Sequence, residues 1–137
     1  MSTKKCAIVI DQNLPIGLIA NTAGVLALTI GKEFPELIGH ELKDSKGDRH
    51  HGITTVPIPI LKGTGLSLKE MREALKEYEP TLTVVDFTSA AQTTTNYEDY
   101  SRKLEDTPVE QLEYLGIALY GSKKVVNKFT GNLGLLR

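Results

Sequence analysis

Three stretches of the chain are apolar over lengths typical of β-strands. Residues 6–10 form an uninterrupted apolar run, which predicts a central strand covered on both faces. Residues 81–87 are rich in β-branched side chains, and residues 114–120 are again mostly apolar. Residues 57–61 carry alternating prolines, which cannot donate hydrogen bonds to a ladder, so this segment is predicted to be at most an edge strand.

Helical periodicity and capping residues separate these strands. Residues 18–32 are apolar nearly all round, which predicts a buried helix. Ser67 with Glu70 matches a capping box, and residues 107–110 form a second one that includes a proline. Asn96 is predicted to cap a short charged helix.

The alternation of strands and helices predicts an α/β layered fold with a mostly parallel sheet. A last helix is expected to begin after Ser122 and to end at Gly131. A chain of 137 residues can bury roughly two-thirds of its unfolded surface, so we expect a single domain over residues 1–137. The apolar share of 40% and charged share of 24% are ordinary for globular proteins.

Charge and cysteine content exclude several classes of function. Sixteen basic and 17 acidic residues give a net charge of −1, which excludes a large basic footprint for duplex DNA. The single cysteine, Cys6, excludes an intrachain disulfide framework. The apolar runs are too short for a signal peptide core or a membrane span. We therefore expect a cytoplasmic protein with no membrane association.

Candidate chemistry lies where two predicted strands end in aspartate. Asp11 follows the first strand, and Asp86 closes the run Thr83-Val84-Val85. Ligands of open α/β sheets bind outside the carboxyl ends of strands, and the helix start near Gly17 offers an anion site. Hydroxyl and amide side chains follow Asp86 in a polar loop over residues 88–95. The prediction is one crevice lined by Asn13, Gly17, Asn21, Asp86, Thr88 and Gln92.

A structural interpretation of the same residues remains open, in which both aspartates cap turns and the threonines are simply solvated. His40, His50 and His51 flank a predicted hairpin around the polar turn 44–48, and we interpret them as surface residues rather than metal ligands. The motif Gly63-Thr64-Gly65 lacks the third glycine of a dinucleotide fingerprint. No metal and no cofactor are therefore expected.

Both ends of the chain resemble peptidyl-tRNA hydrolase II. The family's glycine-lysine-isoleucine-alanine-alanine-glutamine helix start corresponds to Gly17-Leu18-Ile19-Ala20-Asn21-Thr22, and an alanine-rich helix follows it. The family's closing strand and its helix ending in threonine-glycine correspond to residues 114–120 and to Phe129-Thr130-Gly131. The resemblance implies a three-layer α/β/α domain with a small mixed sheet.

The chain departs from that family at several functional positions. The family lysine falls on Leu18, and its helix glutamine falls on Thr22, which we retain as a ligand-binding candidate. Asp86 matches the aspartate of the family's second motif, and Gln92 matches its glutamine with one inserted residue. A leucine cannot stabilise a developing oxyanion, so the resemblance leaves Asp86 as the single candidate catalytic group.

The middle of the chain resembles the bacterial domain-of-unknown-function 2000 family. The resemblance rests on Gly39-His40-Glu41-Leu42-Lys43-Asp44, Gly52-Ile53-Thr54, Pro57-Ile58-Pro59-Ile60-Leu61 and Asp86-Phe87-Thr88. It spans nearly the whole chain. That family resembles peptidyl-tRNA hydrolase II in fold and implies no reaction.

Three functional hypotheses follow. In the first, the crevice binds a small ligand without turnover. In the second, Asp86 acts as base in hydrolysing an acyl ester such as peptidyl-tRNA, so that an RNA end would be the partner. In the third, the chain is a homo-oligomeric interaction protein that associates through the small-residue helix or the proline-containing edge strand. A homodimer is expected by analogy with the family.

Overall fold

The computed structural model describes residues 3–137 and is built on a four-stranded sheet. Its strands are β1 (Lys4–Asp11), β4 (Ile60–Gly63), β5 (Thr83–Thr88) and β6 (Tyr114–Ser122), and their order across the sheet is β4-β1-β6-β5. The apolar runs at residues 6–10, 81–87 and 114–120 thus form strands as predicted. The two central strands, β1 and β6, are buried along almost their whole length.

The sheet is mixed, and the prediction that it is mostly parallel is wrong for its strand pairings. β1 pairs with β4 in parallel, whereas β6 is antiparallel to both of its neighbours, β1 and β5. The reason lies in the connection from β5 to β6. The backbone amide of Ser89 donates to the carbonyl of Glu113 over 2.8 Å, so the connecting chain stays at one end of the sheet. The next strand therefore re-enters antiparallel.

Helix α1 (Ile16–Glu33) covers one face of the sheet, where it packs on Cys6, Ile8 and Ile10 of β1. Its inward residues Leu26 and Ile30 are buried. The prediction of all-round burial is wrong, because the opposite side of the helix meets no other described element: Ile16 is 85% exposed and Leu28 78% exposed.

Close contact between α1 and the sheet depends on a glycine in β6. A Cβ atom at Gly116 would lie 2.6 Å from Thr22 Cγ2 and 3.1 Å from Leu26 Cδ1. Because no side chain intervenes, the methyl group of Thr22 rests directly on the strand. Thr22 is fully buried, and its hydroxyl donates to the carbonyl of Leu18 over 2.7 Å.

Helices α2 (Gly65–Leu75) and α5 (Lys123–Thr130) cover the other face. The capping box of α2 is formed by Thr64 and Ser67, whose side chains each accept from the other's backbone amide. The helix therefore begins before the Ser67 start predicted from the sequence. Ser122 and Gly131 flank α5 as expected.

The predicted hairpin forms a small separate ladder between β2 (Leu42–Lys43) and β3 (Arg49–His50). Asp44 shapes its turn by accepting hydrogen bonds from the backbone amides of Lys46 and Asp48. Gly47 at φ 87° occupies the left-handed region that glycine tolerates best.

The chain between β5 and β6 differs from its prediction in two places. The expected polar loop contains a short helix, α3 (Ser89–Gln92), because the alanines at its centre favour helix and Ala90 is buried. The second capping box yields only a 3₁₀ turn, Val109–Gln111. Between them lies α4 (Tyr97–Asp106), capped by Asn96 as predicted.

The two edges of the sheet differ in whether another segment pairs with them. A C-terminal segment bridges β4, because Lys62 donates to Gly134 and Leu136 donates to Ile60, each over 2.9 Å. Among the described residues, no segment pairs with the outer side of β5. Across residues 3–137, no helix has the length and apolar character needed to cross a bilayer.

Candidate functional site

A cavity of about 450 Å³ runs along the unpaired edge of β5, and we call it the edge cavity. Helix α1 supplies one wall through Val25 and Thr29, and β5 supplies the floor. The opposite wall comes from α3, α4 and the turn between them. The lining residues are Val25, Thr29, Val85, Asp86, Phe87, Ala91, Thr94, Thr95, Asn96, Tyr97 and Tyr100.

The cap of α4 positions the aromatic part of this wall. Asn96 Oδ1 accepts from the amide of Asp99 over 2.9 Å, and this fixes where the helix begins. Tyr97 and Tyr100 then lie one turn apart with ring centroids separated by 5.6 Å at an interplanar angle of 75°. Tyr100 packs against the core, whereas Tyr97 is 81% exposed at the cavity rim.

Asp86 is the predicted catalytic residue, and it lies in the edge cavity. Its Oδ2 atom accepts from Arg72 Nε over 3.2 Å, and the same guanidinium donates through Nη1 to Glu79 Oε1 over 2.9 Å. The side chains of Asp86 and Arg72 are 26% and 18% exposed, respectively. Burial opposes the charge on Arg72, but the two carboxylates outweigh it and raise the pKa of the guanidinium.

The pKa values of two tyrosines depend in part on the charge of Asp86. Burial, together with the nearby Asp86 carboxylate, raises the pKa of Tyr100 and of Tyr114 above the ordinary value. Both phenols therefore stay neutral at physiological pH and remain capable of donating a hydrogen bond. Cys6 is unsuited to nucleophilic chemistry, since burial raises the pKa of its thiol to about 11.

The remaining predicted site residues do not line the edge cavity. Asn13, Asn21 and Gln92 are exposed at the surface. Gly17 is also exposed, and a Cβ atom placed there would meet no described atom within 4 Å. Thr22 has the structural role under α1 described above. The structure thus brings Asp86, but none of these five residues, to the cavity.

Thr88 is buried at the end of β5, where the register with β6 shifts. Within the part of the chain that the structure describes, its hydroxyl is the one buried side-chain oxygen or nitrogen without a hydrogen-bond partner. An unpaired buried hydroxyl costs about 1–3 kcal/mol, so Thr88 is a local weak point beside Asp86.

Asp11 lies in a different place. Its Oδ1 atom accepts from the amide of Asn13 over 3.0 Å, which is the turn-capping role that the sequence had left open. Asp11 lines a second cavity of about 350 Å³ at the carboxyl ends of β1 and β4, together with Lys69 and Glu113. Lys69 Nζ is already bonded to the carbonyl of Glu110 over 2.7 Å. Asp11 and Asp86 therefore line two different cavities rather than one shared crevice.

The histidines lie on the exposed hairpin and its flanks. His50 Nε2 is 2.8 Å from Asp44 Oδ2, and this contact contributes most to lowering the pKa of Asp44. His40 Nδ1 lies 2.9 Å from the backbone oxygen of Glu41. Among residues 3–137, no three histidine, cysteine or acidic side chains are grouped to hold a metal ion.

Sequence reasoning missed Arg72, Glu79 and the two α4 tyrosines. Arg72 precedes Asp86 by fourteen positions, and the contact forms only because α2 packs on β6, the neighbour of β5 in the sheet. No local spacing signals such a contact. The pair Tyr97 and Tyr100 could have been predicted to form one aromatic surface, because residues three apart on a helix share one face.

Comparisons with known proteins agree on the fold and leave the activity open. No curated protein matches the chain at a significant level. A solved structure of a protein of unknown function from Agrobacterium tumefaciens strain C58 is similar, with a TM-score of 0.89 and 19% identity over 98% of each chain. At that identity the likeness shows the fold alone. Residues 4–137 match the family model described as protein of unknown function DUF2000, and the chain therefore belongs to the DUF2000 family.

Proposed function

We propose that this protein binds a small organic ligand in the edge cavity, with Asp86 as the polar anchor. The observation that carries the proposal is the set of side chains that line the edge cavity, whose volume is about 450 Å³. Small-molecule sites are concave, mostly apolar and carry a few convergent polar groups, within roughly 300–1,000 Å³. The edge cavity combines an apolar floor, one carboxylate, three threonine hydroxyls and two tyrosine rings.

A larger groove of about 700 Å³ supports binding less well. It is lined by residues of α1 and by Ile38, so it lies on the outer surface of the helix. A ligand there would contact one side only and would bury little of its surface. The edge cavity instead receives side chains from α1, β5, α3 and α4.

The hydrolase hypothesis uses the same carboxylate and draws on the resemblance to peptidyl-tRNA hydrolase II. Leu18 is uncharged and packs against the core, so no cation stands at the position of the family lysine. Arg72 is the cation beside Asp86, and it already binds two carboxylates. The geometry therefore favours ligand binding over hydrolysis of peptidyl-tRNA.

A fragment screen followed by protein NMR tests the proposal. Ligands of the edge cavity are expected to shift the amide signals of residues 85–87 and 94–100. Val25→Phe should abolish those shifts, because it places a ring in the cavity wall. Leu28→Phe is the matched control, since the same ring on the same helix then points into solvent.

Two outcomes contradict the proposal. Fragments that bind Val25→Phe and the parent protein equally would place the ligand site elsewhere. Hydrolysis of N-blocked aminoacyl-tRNA by the parent protein, lost in Asp86→Asn, would establish the hydrolase hypothesis instead. The binding hypothesis expects no such turnover in a sample whose amide spectrum shows it to be folded.

A further inference from the structure

The edge cavity has an asymmetric charge lining. Asp86 is its one charged residue among the described side chains, and no lysine or arginine lines it. The nearest cation, Arg72, contacts Asp86 through its Oδ2 atom, and no other described residue forms a hydrogen bond with this carboxylate. The Asp86 side chain is 26% exposed, so the carboxylate is not fully enclosed by protein.

Arg72 does not neutralise this site. Its single positive charge is shared between Asp86 and Glu79, so the three side chains together carry one uncompensated negative charge. The neighbouring helix α4 adds to the negative potential, because its acidic residues outnumber its basic ones. The acidic residues are Glu98, Asp99, Glu105 and Asp106, against Arg102 and Lys103.

The closest lysine on α4 is engaged outside the cavity. Lys103 Nζ donates to Thr93 Oγ1 over 2.7 Å, and Thr93 is not among the lining residues. It therefore places no ammonium group at the cavity wall. An anionic ligand would meet Asp86 with no cation facing it in the cavity, and this disfavours carboxylates and phosphates.

Aromatic rings complete the arrangement. Tyr97 and Tyr100 stand edge to face on the wall made by α4, and Tyr97 is open to an incoming ligand. Ring faces attract cations, and aromatic cages are a recurrent way of recognising ammonium groups. Val25, Val85, Phe87 and Ala91 leave room for an apolar body.

We propose that the edge cavity selects organic cations, namely amines carrying an apolar or aromatic group. The ammonium contacts Asp86 and the face of Tyr97, while the apolar body lies against Val85 and Phe87. This inference rests on the proposed function, since it names the ligand class of the same site.

Three probes of similar size and different charge test the selectivity: phenethylamine, 2-phenylethanol and phenylacetate. Each is titrated at millimolar concentration into uniformly labelled protein, and binding is read from the amide signals of residues 85–87 and 97–100. Phenethylamine is expected to bind at least about tenfold more tightly than the alcohol, which lacks the charge. Phenylacetate is expected not to shift these signals.

Charge variants identify the anchor. Asp86→Asn should weaken phenethylamine at least about tenfold, because it removes the cavity carboxylate. Asp106→Asn removes an equal charge at the far end of α4 and should change binding less than about twofold, since exposed charges at a distance are screened. If Asp86→Asn fails to fold, Tyr97→Leu at the exposed rim provides the second test and should weaken the amine but not the alcohol.

The outcomes separate this inference from the proposed function. Equal binding of alcohol and amine, or no cavity binding by any of the three probes, overturns the selection of cations. In either case the fragment screen against Val25→Phe still decides whether the cavity binds ligands at all. Weakening of phenethylamine by Asp106→Asn as large as that by Asp86→Asn would also overturn the inference, since diffuse charge would then be responsible.

Discussion

Arg72 shows how much of the candidate site depends on a single side chain. It is only 18% exposed and bridges Glu79 and Asp86, so its removal leaves both carboxylates without the cation that they share. We expect Arg72→Met to lower the free energy of unfolding by about 1–3 kcal/mol at neutral pH, measured by urea denaturation.

Lys76→Met is the matched control for that prediction. Lys76 lies one turn further along the chain and pairs with Glu73 in solvent, where both side chains are about half exposed. An exposed pair contributes about 0–1 kcal/mol, so this variant should remain close to the parent protein. Equal losses in both variants would show that the Arg72 bridge has no special energetic role.

At the scale of residues, the sequence was informative where the signal was local. Asn96 was correctly predicted to cap α4. Asp86 lies in the edge cavity, and its catalytic role stays a prediction. The contact of Arg72 with Asp86 could not be predicted, because it joins α2 and β5 and no local sequence pattern specifies how these two elements pack. Thr22 was assigned to a ligand from resemblance, yet its buried hydroxyl serves its own helix, and its methyl group meets the Gly116 backbone.

At the scale of elements, α4 is the least anchored wall of the edge cavity. None of its side chains is fully buried, whereas α2 buries Leu68 and Leu75. We expect Asn96→Ala, which removes the α4 cap, to speed amide exchange within α4 while changing the melting temperature little. A lost cap costs about 1 kcal/mol, and in a helix without buried residues that cost is met by local opening.

Thr64→Ala provides the comparison, because it removes the equivalent cap from α2. The leucines of α2 belong to the core, so this helix cannot open without global unfolding. The melting temperature should therefore fall by several degrees, roughly as expected for a loss of about 1 kcal/mol. Global destabilisation by Asn96→Ala of the same size would contradict the expectation that α4 opens locally.

The strands were predictable as elements because their composition is distinctive, but their directions were not. A helix between two strands suggests a parallel crossover, and this holds for α2 between β4 and β5. Helices α3 and α4 also lie between two strands, yet they remain at one end of the sheet. Helix α3 is only 4 residues long, and α4 buries no side chain, whereas the crossover helix α2 buries two leucines.

At the scale of the whole molecule, the sheet has one covered edge and one open edge. The proline-rich approach to β4 was correctly predicted to mark an edge strand, but the pairing of residues 134–136 with it was not. Nothing in those few residues signals a strand; the partner is distant in sequence. The expected homodimer stays a prediction, and sedimentation of the parent protein over a range of concentrations will decide it.

The covered edge yields a prediction that tests how the fold protects β4. Leu136→Pro removes the amide that donates to Ile60 and disturbs a side chain that packs against the core, so we expect a loss of about 1–3 kcal/mol. Leu135→Pro is the control, because Leu135 is the bridge partner of Leu61 but the hydrogen bonds are made by its neighbours, Gly134 and Leu136.

Exposing β4 creates an unpaired edge, and unpaired edges promote association between chains. Leu136→Pro should therefore aggregate faster on mild heating, as measured by light scattering; identical behaviour of the two proline variants would show that the C-terminal bridge does not protect the sheet.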